Sequence, residues 1–302
     1  SNMNVLDCIK MALSRVGLST TNAAFQTQAR TYLNATIQQL VGEATWWFLH
    51  KTSTIQCTRE FTLTGVTGTF SNTNTITGQT SAATATVTNW DSATNVLTVK
   101  NESGTFAASE VVQVDGSNYG TISSMASTKI YPLQSDLANA ISFRNNSQDY
   151  TMAIVSNEDL DLRDPDQSQL GEPYNVIMVG LDSSGNQQVQ LYPAPDDSNT
   201  VIDYRYYAYV PDYISDDDNI SLDLKFPNVI QPALYFGVSR LYKQEKGDYE
   251  GANIEFAEYR GVVDRALRIN QQSDGNRRYR MLRHDTYPAF SFLPVDGTVG
   301  TG

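Results

Sequence analysis

The chain has 302 residues, of which 40% are hydrophobic, and a formal net charge of −12 at pH 7. That length is sufficient for one large domain or two modest ones. The acidic balance argues against a general duplex-DNA binder, because basic side chains that neutralise phosphates supply most of that affinity. No apolar run is long enough to cross a membrane and no secretory signal is expected. We therefore predict no membrane partner, and we expect Cys8 and Cys57 to stay reduced thiols.

Two helices are predicted near the N-terminus, because apolar residues recur there at three- and four-residue spacing. The first covers Val5–Val16 and stops at Gly17. The second is expected to run from about Asn22 to about Ala44. Asn22 belongs to a group of residues that are favourable at the start of a helix.

An aromatic run follows the second helix directly. It consists of Trp46, Trp47 and Phe48, with Leu49 behind them. We interpret these residues as a seal on the helical core at the point where the chain turns into a sheet. An exposed docking patch is the alternative.

Residues 63–126 differ from the rest of the chain in composition. They are rich in threonine, serine and glycine and contain a single basic residue, Lys100. Short alternating runs separated by turn residues predict strands throughout. The tripeptide Gly-Thr-Phe occurs at residues 68–70 and again at 104–106, each time ahead of a turn that closes on glycine. This repeat predicts two related halves of a small barrel or sandwich, inserted into a larger host domain.

The host pattern resumes after the insertion with strand-like runs near residues 129–133, 150–155, 174–179, 189–192 and 201–210. Residues 227–272 then predict a hairpin of two antiparallel helices. Gly247 lies at their junction and suits a left-handed helix end. Because one hairpin cannot bury both of its apolar stripes, we expect the N-terminal helices to pack against it.

Together these elements predict an α+β fold. An antiparallel helical bundle, made of the two N-terminal helices and the C-terminal helical hairpin, accompanies a central β region and the inserted small all-β sandwich or barrel. The predicted domains are residues 3–62 with 127–272 for the helical-bundle and β host, 63–126 for the insertion, and 273–302 for an extended C-terminal arm.

The C-terminal arm has the most suggestive composition for function. Four arginines occur within seven residues, and aromatic residues accompany them. Arginine and aromatic residues are typical anchors of protein interfaces. An arm that clamps an acidic partner, an ordinary solvated tail and a nucleic-acid contact are the three open interpretations. The candidate docking residues of this arm are Arg277, Arg278, Tyr279, Arg280, Arg283, Tyr287, Phe290 and Phe292.

No catalytic residue, metal site or cofactor is predicted. Asp216, Asp217 and Asp218 form the densest acidic run, but they lack the spacing of a calcium loop, and a solvated loop ahead of a helix is the interpretation we favour. His50 and His284 have no nucleophile beside them in a recognisable motif. No phosphate loop or dinucleotide fingerprint is present, so the sequence does not predict an enzyme.

The order of the elements carries a resemblance to a known family. The segments concerned are Tyr131-Pro132-Leu133 with Asp136, Gly171-Glu172-Pro173, residues 189–195, and residues 226–268 with Leu241-Tyr242 and Tyr259. With the two N-terminal helices and the tryptophan-rich exit, this layout resembles the head-to-tail adaptor, or connector, proteins of tailed bacteriophages. It is similar in particular to the short-tailed phage adaptors called tail tubular protein A. The resemblance covers residues 4–270 without the insertion.

That resemblance implies a structural protein of the virion, located at the head–tail junction and assembled in the host cytoplasm. It implies a homo-oligomeric ring of twelve copies beneath the portal protein, with the helical bundle facing the portal and the β region facing the tail tube or nozzle. The C-terminal arm would dock on the portal or on a neighbouring subunit. DNA would pass through the lumen without specific binding. The insertion is expected to contact tail fibres or neighbouring subunits.

The alternative hypothesis is a tail-associated structural protein that binds a receptor or a glycan through the insertion. It predicts exposed aromatic residues there, and the candidates are Phe70, Trp90, Phe106 and Tyr119. Because the two phenylalanines recur in the repeat, we expect them in the core instead.

Overall fold

The computed structural model describes residues 3–210, 212–213 and 226–290, except for the side chains of Arg163 and of residues 272–290. The chain divides into two compact units. Residues 1–49 with 210–302 form the first, which we call the helical unit, and residues 50–209 form the second, the β unit. The α+β class is therefore confirmed. The predicted host domain is divided between the two units, because the central strands belong with the inserted strands and not with the helices.

Five helices are found in the described residues, and four of them belong to the helical unit. They are α1 Val5–Val16, α2 Ala23–Gly42, α3 Asn157–Arg163, α4 Gln231–Glu245 and α5 Tyr249–Phe290, with a short 3-10 turn at Trp47–Leu49. The β unit contains thirteen described strands. They are β1 His50–Gln56, β2 Arg59–Thr64, β3 Thr75–Gly78, β4 Thr84–Asp91, β5 Val96–Ser103, β6 Val111–Val114, β7 Ser117–Ser127, β8 Ile130–Pro132, β9 Leu137–Asn145, β10 Tyr150–Val155, β11 Asn175–Leu181, β12 Gln187–Tyr192 and β13 Val201–Ala208.

The helix ends follow local side-chain chemistry. The side chain of Asn4 accepts a hydrogen bond from the Asp7 N–H at 2.7 Å, and that of Asn22 accepts one from the Ala24 N–H at 2.9 Å. These bonds satisfy N–H groups that have no partner within the helix. Gly17 ends α1 at φ 71°, a left-handed conformation that glycine adopts without strain. The predicted start and end of α1 and the predicted start of α2 are thus confirmed.

The predicted hairpin between α4 and α5 is also confirmed. Gly247 has φ 76°, as expected for a left-handed helix end. Asp248 then begins the next helix, since its carboxylate accepts a hydrogen bond from the Gly251 N–H at 2.9 Å. A connection this short makes α4 and α5 neighbours, and α4 also contacts α1 and α2.

Close approach between α2 and α4 depends on Gly237. A Cβ atom at this position would lie 2.2 Å from Cγ2 of Thr36, far inside van der Waals contact. Thr36 itself is 2% exposed and donates its hydroxyl to the Tyr32 carbonyl at 2.8 Å. The two helix backbones are therefore packed at a distance that only glycine permits.

The strands of the β unit form two structures. Seven of them form one sheet in the order β1-β13-β9-β10-β11-β12-β8, in which β10 and β11 are the parallel pair. The other six close into a barrel in the order β2-β5-β4-β3-β6-β7. The predicted insertion is therefore a closed barrel, with β2 through β7 as its strands, and this outcome removes the sandwich as an option.

The barrel consists of two halves related by the sequence repeat. Strands β2, β3 and β4 correspond to β5, β6 and β7, so the pairs β2–β5 and β3–β6 each join equivalent strands. Phe70 and Phe106, the last residues of the two Gly-Thr-Phe copies, are both buried in the barrel core. Thr73 and Ser109 occupy equivalent turns, and both have positive φ, at 80° and 63°. The repeat thus encodes a conformation as well as a sequence.

One departure from this repeat is a buried carboxylate. Glu110 is 3% exposed, and its oxygens accept hydrogen bonds from the N–H and hydroxyl groups of Thr80 and Ser81 and from the Ala107 N–H, at 2.6–2.9 Å. Burial alone raises the pKa of Glu110, but these hydrogen bonds outweigh it and lower the pKa to about 2. In its ionised form, Glu110 therefore links the β3–β4 turn to the start of β6.

We predict that Gly237→Ala destabilises the protein by about 1–3 kcal/mol, because the added methyl group overpacks the contact with Thr36. The gain in helix propensity, up to about 1 kcal/mol, is smaller. Urea unfolding measures the change. Gly261→Ala is the matched control, since a Cβ at Gly261 meets nothing within 4 Å, and it should stabilise the protein. Combining Gly237→Ala with Thr36→Ala should recover part of the loss; an undiminished loss would show that the methyl group clashes elsewhere.

We predict that the barrel loses stability as the pH falls from about 4.5 toward 2. The folded pKa of Glu110 is lowered below the unfolded value, so its contribution is fully present above about pH 4.5 and is lost as the carboxylate protonates. The contribution is on the order of 3 kcal/mol. Glu110→Gln should therefore be destabilised at neutral pH, and its deficit should shrink in acid. Urea unfolding at about pH 7, 4 and 3 tests this, with Glu60→Gln on β2 as the half-exposed control. An equal deficit at all three pH values would contradict it.

Candidate functional site

The aromatic run after α2 packs within the helical unit. Trp46 is fully buried and donates its Nε1–H to the Leu40 carbonyl at 2.8 Å, while Trp47 and Phe48 are half-buried. Phe48 stacks on Trp46 with ring centroids 5.7 Å apart and meets Phe226 edge-on at 5.5 Å. The run therefore holds the turn after α2 against the segment that leads into α4.

Helix α5 is fastened to this turn by polar side chains that the sequence did not single out. Asn270 accepts a hydrogen bond from the Trp47 N–H at 3.1 Å and donates one to the Thr45 carbonyl at 3.0 Å. Further back along α5, Tyr259 and Arg260 both donate to the Glu43 carboxylate, at 3.0 and 2.8 Å. Burial, with Glu43 beside it, raises the pKa of Tyr259, so its phenol remains a donor.

An ion network around one buried carboxylate joins α5 to α1 and α4. Glu255 of α5 is 2% exposed and accepts hydrogen bonds from Arg15 at 3.0 Å and Lys243 at 2.8 Å. The Arg15 guanidinium also lies over the Phe236 ring, 4.7 Å from its centroid. Sequence reasoning missed this network, because its members are 240 positions apart at most and no local pattern links them. The one sequence signal for this network is Glu255 itself, a single glutamate on the otherwise apolar face of α5 that includes Ala252 and Tyr259.

The predicted docking arm begins as a continuation of α5. The helix runs to Phe290, so the backbone at Arg277, Arg278, Tyr279, Arg280, Arg283, Tyr287 and Phe290 is helical, whereas we expected an extended chain from residue 273. Arginine, methionine and leucine in this stretch are good helix formers, which accounts for the difference. Phe292 lies outside the described residues. These residues follow Asn270, the position at which α5 contacts the turn after α2.

The remaining candidates for chemistry have structural explanations. His50 packs edge-on against Tyr207, with ring centroids 6.0 Å apart. Cys8 and Cys57 are free and buried, and burial raises the pKa of each to about 12. Across the described part of the chain, no group of three or more histidine, cysteine or acidic side chains is placed to hold a metal ion. The acidic run at 216–218 lies outside the described residues, as does the side chain of His284.

The described helices include none that is both long and apolar enough to cross a membrane.

The barrel surface does not offer the aromatic platform that the receptor-binding alternative requires. Phe70 and Phe106 are 4% and 2% exposed. Trp90 and Tyr119 are half-buried and pack against the barrel core, with ring centroids 4.9 and 5.2 Å from that of Phe70. All four candidate rings thus contribute to the interior of the barrel, so no observation favours this alternative.

Comparison with known proteins gives the class of this protein. Residues 3–285 match the family model described as SU10 adaptor protein, whereas no curated protein matches the chain. The match spans both units, barrel included, and it is a match to structural adaptors of phages. The chain belongs to the SU10 adaptor protein family.

We predict that Asn270→Ala loosens α5 from the turn after α2. The substitution removes one acceptor and one donor that serve backbone groups, at a cost of about 1–3 kcal/mol. Hydrogen exchange at the Trp47 amide should accelerate, and urea unfolding should shift to lower concentrations. Gln271→Ala, the exposed neighbouring position, is the control and should change neither quantity. Unchanged exchange at Trp47 in the Asn270 variant would contradict the role of this side chain.

Proposed function

We propose that this protein forms the ring that joins the portal to the tail of a phage virion and completes the head after DNA packaging. Twelve copies assemble beneath the portal, with α1, α2, α4 and the first part of α5 forming an antiparallel bundle that faces it. The β unit faces the tail tube or nozzle, and the barrel contacts tail fibres or neighbouring subunits. The proposal extends the likeness to the adaptors called tail tubular protein A. Its task is assembly and DNA passage, without catalysis or a cofactor.

The observation that carries this proposal is the course of α5. Its first half is held inside the helical unit by Glu255 and Asn270. Residues 271–290 then add about 30 Å of helix with four arginines. A helix with a fixed base and a basic, aromatic end is suited to docking on a portal subunit or a neighbouring adaptor. Arginine is the favoured residue for such contacts, because its planar guanidinium forms paired hydrogen bonds with carboxylates.

The net charge fits a channel for DNA. A chain with a formal net charge of −12 repels phosphates on balance, which favours DNA sliding past without being held. In this proposal the arginines of α5 are buried in protein contacts and do not face the lumen.

We predict that the full chain forms rings on portal rings and that a chain ending at Gln272 does not. Loss of residues 273–290 removes the docking helix but leaves the contacts of Glu255 and Asn270 in place. Mass photometry of each chain, alone and mixed with the portal from the same genome, measures assembly. A chain ending at Leu293, which keeps all eight candidate docking residues, is the matched control and should assemble.

A second variant separates docking from folding. Replacing Arg277, Arg278, Arg280 and Arg283 together by glutamine should weaken ring formation, and raising the salt concentration should weaken it in the unmodified chain as well. Equal assembly by all variants would refute the docking role of α5. If the full chain failed to associate with portal in any mixture, the ring proposal itself would fail.

A further inference from the structure

The barrel and the sheet of the β unit have separate apolar cores. The core of the barrel includes Phe61, Leu97 and Ile122, and that of the sheet includes Phe143 and Tyr204. Among the described residues, no buried side chain belongs to both clusters. Apolar packing therefore stabilises each part by itself. Polar contacts, formed at two places, connect the barrel to the sheet.

The first connection is the point at which the chain enters and leaves the barrel. The Thr128 N–H donates to the Thr58 carbonyl at 3.2 Å, and the Thr58 hydroxyl donates to that of Thr128 at 3.0 Å. The Tyr131 hydroxyl accepts a hydrogen bond from the Thr58 N–H at 3.1 Å and donates to the Thr128 carbonyl at 2.8 Å. We call Thr58, Thr128 and Tyr131 the hinge. The barrel is one continuous insertion, so its only covalent connections run through the hinge.

The second connection is the loop between β12 and β13. Ser198 of this loop is fully buried, and its carbonyl accepts hydrogen bonds from the Asn101 N–H of the barrel at 3.2 Å and from the Gln56 side chain of the sheet at 2.8 Å. Its hydroxyl accepts the Glu102 N–H at 3.0 Å. The Asn199 side chain donates to the Glu102 carbonyl at 3.0 Å. We call the pairing of Ser198 and Asn199 with Asn101 and Glu102 the clasp.

A β-bulge forms the barrel side of the clasp. Between Lys100 and Ser103, two residues of β5, Asn101 and Glu102, face a single residue of β4. Asn101 has φ 53°, a left-handed conformation in which asparagine is enriched among non-glycine residues. A bulge interrupts the hydrogen-bond ladder to the neighbouring strand. The N–H groups of the two bulged residues bond to Ser198 in the loop of the sheet.

Both sides of the clasp are held in shape by charged side chains. The Asp197 carboxylate accepts hydrogen bonds from the N–H groups of Asn199 and Thr200, at 2.9 and 3.0 Å, which fixes the loop. On the barrel side, the Glu102 carboxylate pairs with Arg59 at the start of β2, at 3.2 Å. The Glu102 side chain is 6% exposed, so solvent screens this ion pair only weakly. The clasp thus joins two surfaces that are each ordered by their own contacts.

The repeat indicates that the barrel fold does not require the clasp. At the position of the first half that is equivalent to Asn101, Gly65 has φ 61°, so the left-handed conformation occurs in both halves. Val66 is equivalent to Glu102, and its side chain packs against the barrel core. One half of the barrel therefore adopts the same backbone without a loop of the sheet beside it.

We propose that Ser198 and Asn199 hold the barrel in one orientation on the sheet, and that the barrel swings as a rigid body about the hinge when the clasp opens. The β4–β5 turn lies at the opposite end of β5 from Glu102, about 20 Å away. A small rotation at the hinge is therefore amplified at this turn. A partner that binds the turn meets it in a defined position only while the clasp is closed. This inference goes beyond the ring proposal and does not depend on it.

Spin-label distances in the full-length chain test the proposal. One nitroxide is attached at Ser92→Cys in the β4–β5 turn and the other at Thr151→Cys on β10, both at exposed positions. Cys8 and Cys57 are buried, so the labels react with the engineered thiols. Double electron–electron resonance then gives the distribution of the distance between the labels. We expect one narrow distribution in this reference chain, because the clasp is closed.

Opening the clasp should broaden this distribution. Asp197→Ala, Ser198→Ala and Asn199→Ala together remove the hydroxyl and amide groups that bond to Glu102 and the carboxylate that shapes the loop. We call this chain the clasp variant. Its distribution should be several-fold broader than that of the reference chain. The amide of Ile122 in the barrel should stay protected from hydrogen exchange, because the barrel moves without unfolding.

The matched control is Asp182→Ala in the β11–β12 loop of the same sheet. This substitution also removes several loop hydrogen bonds, from the N–H groups of Ser184 and Asn186 and from the Asn186 side chain. Its distance distribution should remain as narrow as that of the reference chain.

Three results would overturn the proposal. An unchanged distribution in the clasp variant would mean that other contacts set the orientation of the barrel. A broad distribution in the reference chain would show that the clasp does not hold the barrel. Loss of protection at Ile122 in the clasp variant would show that the loop stabilises the barrel fold itself. None of these results bears on the ring, because the measurement uses the free chain.

The hinge provides an independent check. Tyr131→Phe removes the hydroxyl that bonds to Thr58 and Thr128 but leaves the clasp in place. Its distribution should be as narrow as that of the reference chain, and adding it to the clasp variant should broaden the distribution further. A broad distribution with Tyr131→Phe alone would contradict the proposal, because the hinge would then set the orientation.

Discussion

A single buried carboxylate fixes the course of the long C-terminal helix. Glu255 lies almost wholly inside the helical unit, where Arg15 of α1 and Lys243 of α4 both donate to it. A buried charge is tolerated only when its partners are in place, and losing one of them leaves an uncompensated charge. The network therefore specifies one arrangement of three helices more sharply than apolar packing alone would. Helix α5 is consequently held in one orientation against α1 and α4, and Asn270 fastens it again at the turn after α2.

Much of this fold was predictable because its determinants are local. The caps at Asn4, Gly17 and Gly247 act within a few residues, and apolar spacing alone identified the helices that they delimit. The two-half barrel was predictable from the repeat of Gly-Thr-Phe. Closure of the barrel and the strand order of the sheet were not, since both depend on pairings between distant segments such as β1 with β13. The division into two units escaped prediction for the same reason.

The candidate functional residues likewise include some that the sequence identified and some that it did not. Composition identified the arginine segment, because four arginines in seven residues are conspicuous in an acidic chain. It did not give the conformation: the expected extended arm is helical to Phe290. The roles of Glu255 and Asn270 were not predictable, because each side chain bonds to residues far away in sequence. In a sequence, a glutamate that accepts hydrogen bonds from two cationic side chains cannot be distinguished from one that faces solvent.

The barrel shows how a repeat can diverge without losing its fold. Both halves keep a buried phenylalanine and a positive-φ turn, which satisfy the backbone in equivalent ways. At the position that follows this turn, one half has Asn74, whose side chain accepts the Ser71 N–H, while the other has Glu110, which accepts the Ala107 N–H. The longer carboxylate also reaches Thr80 and Ser81 in the opposite half. With an amide at this position the contact stays within one turn, whereas the carboxylate joins the two halves and makes the stability of the barrel dependent on a proton.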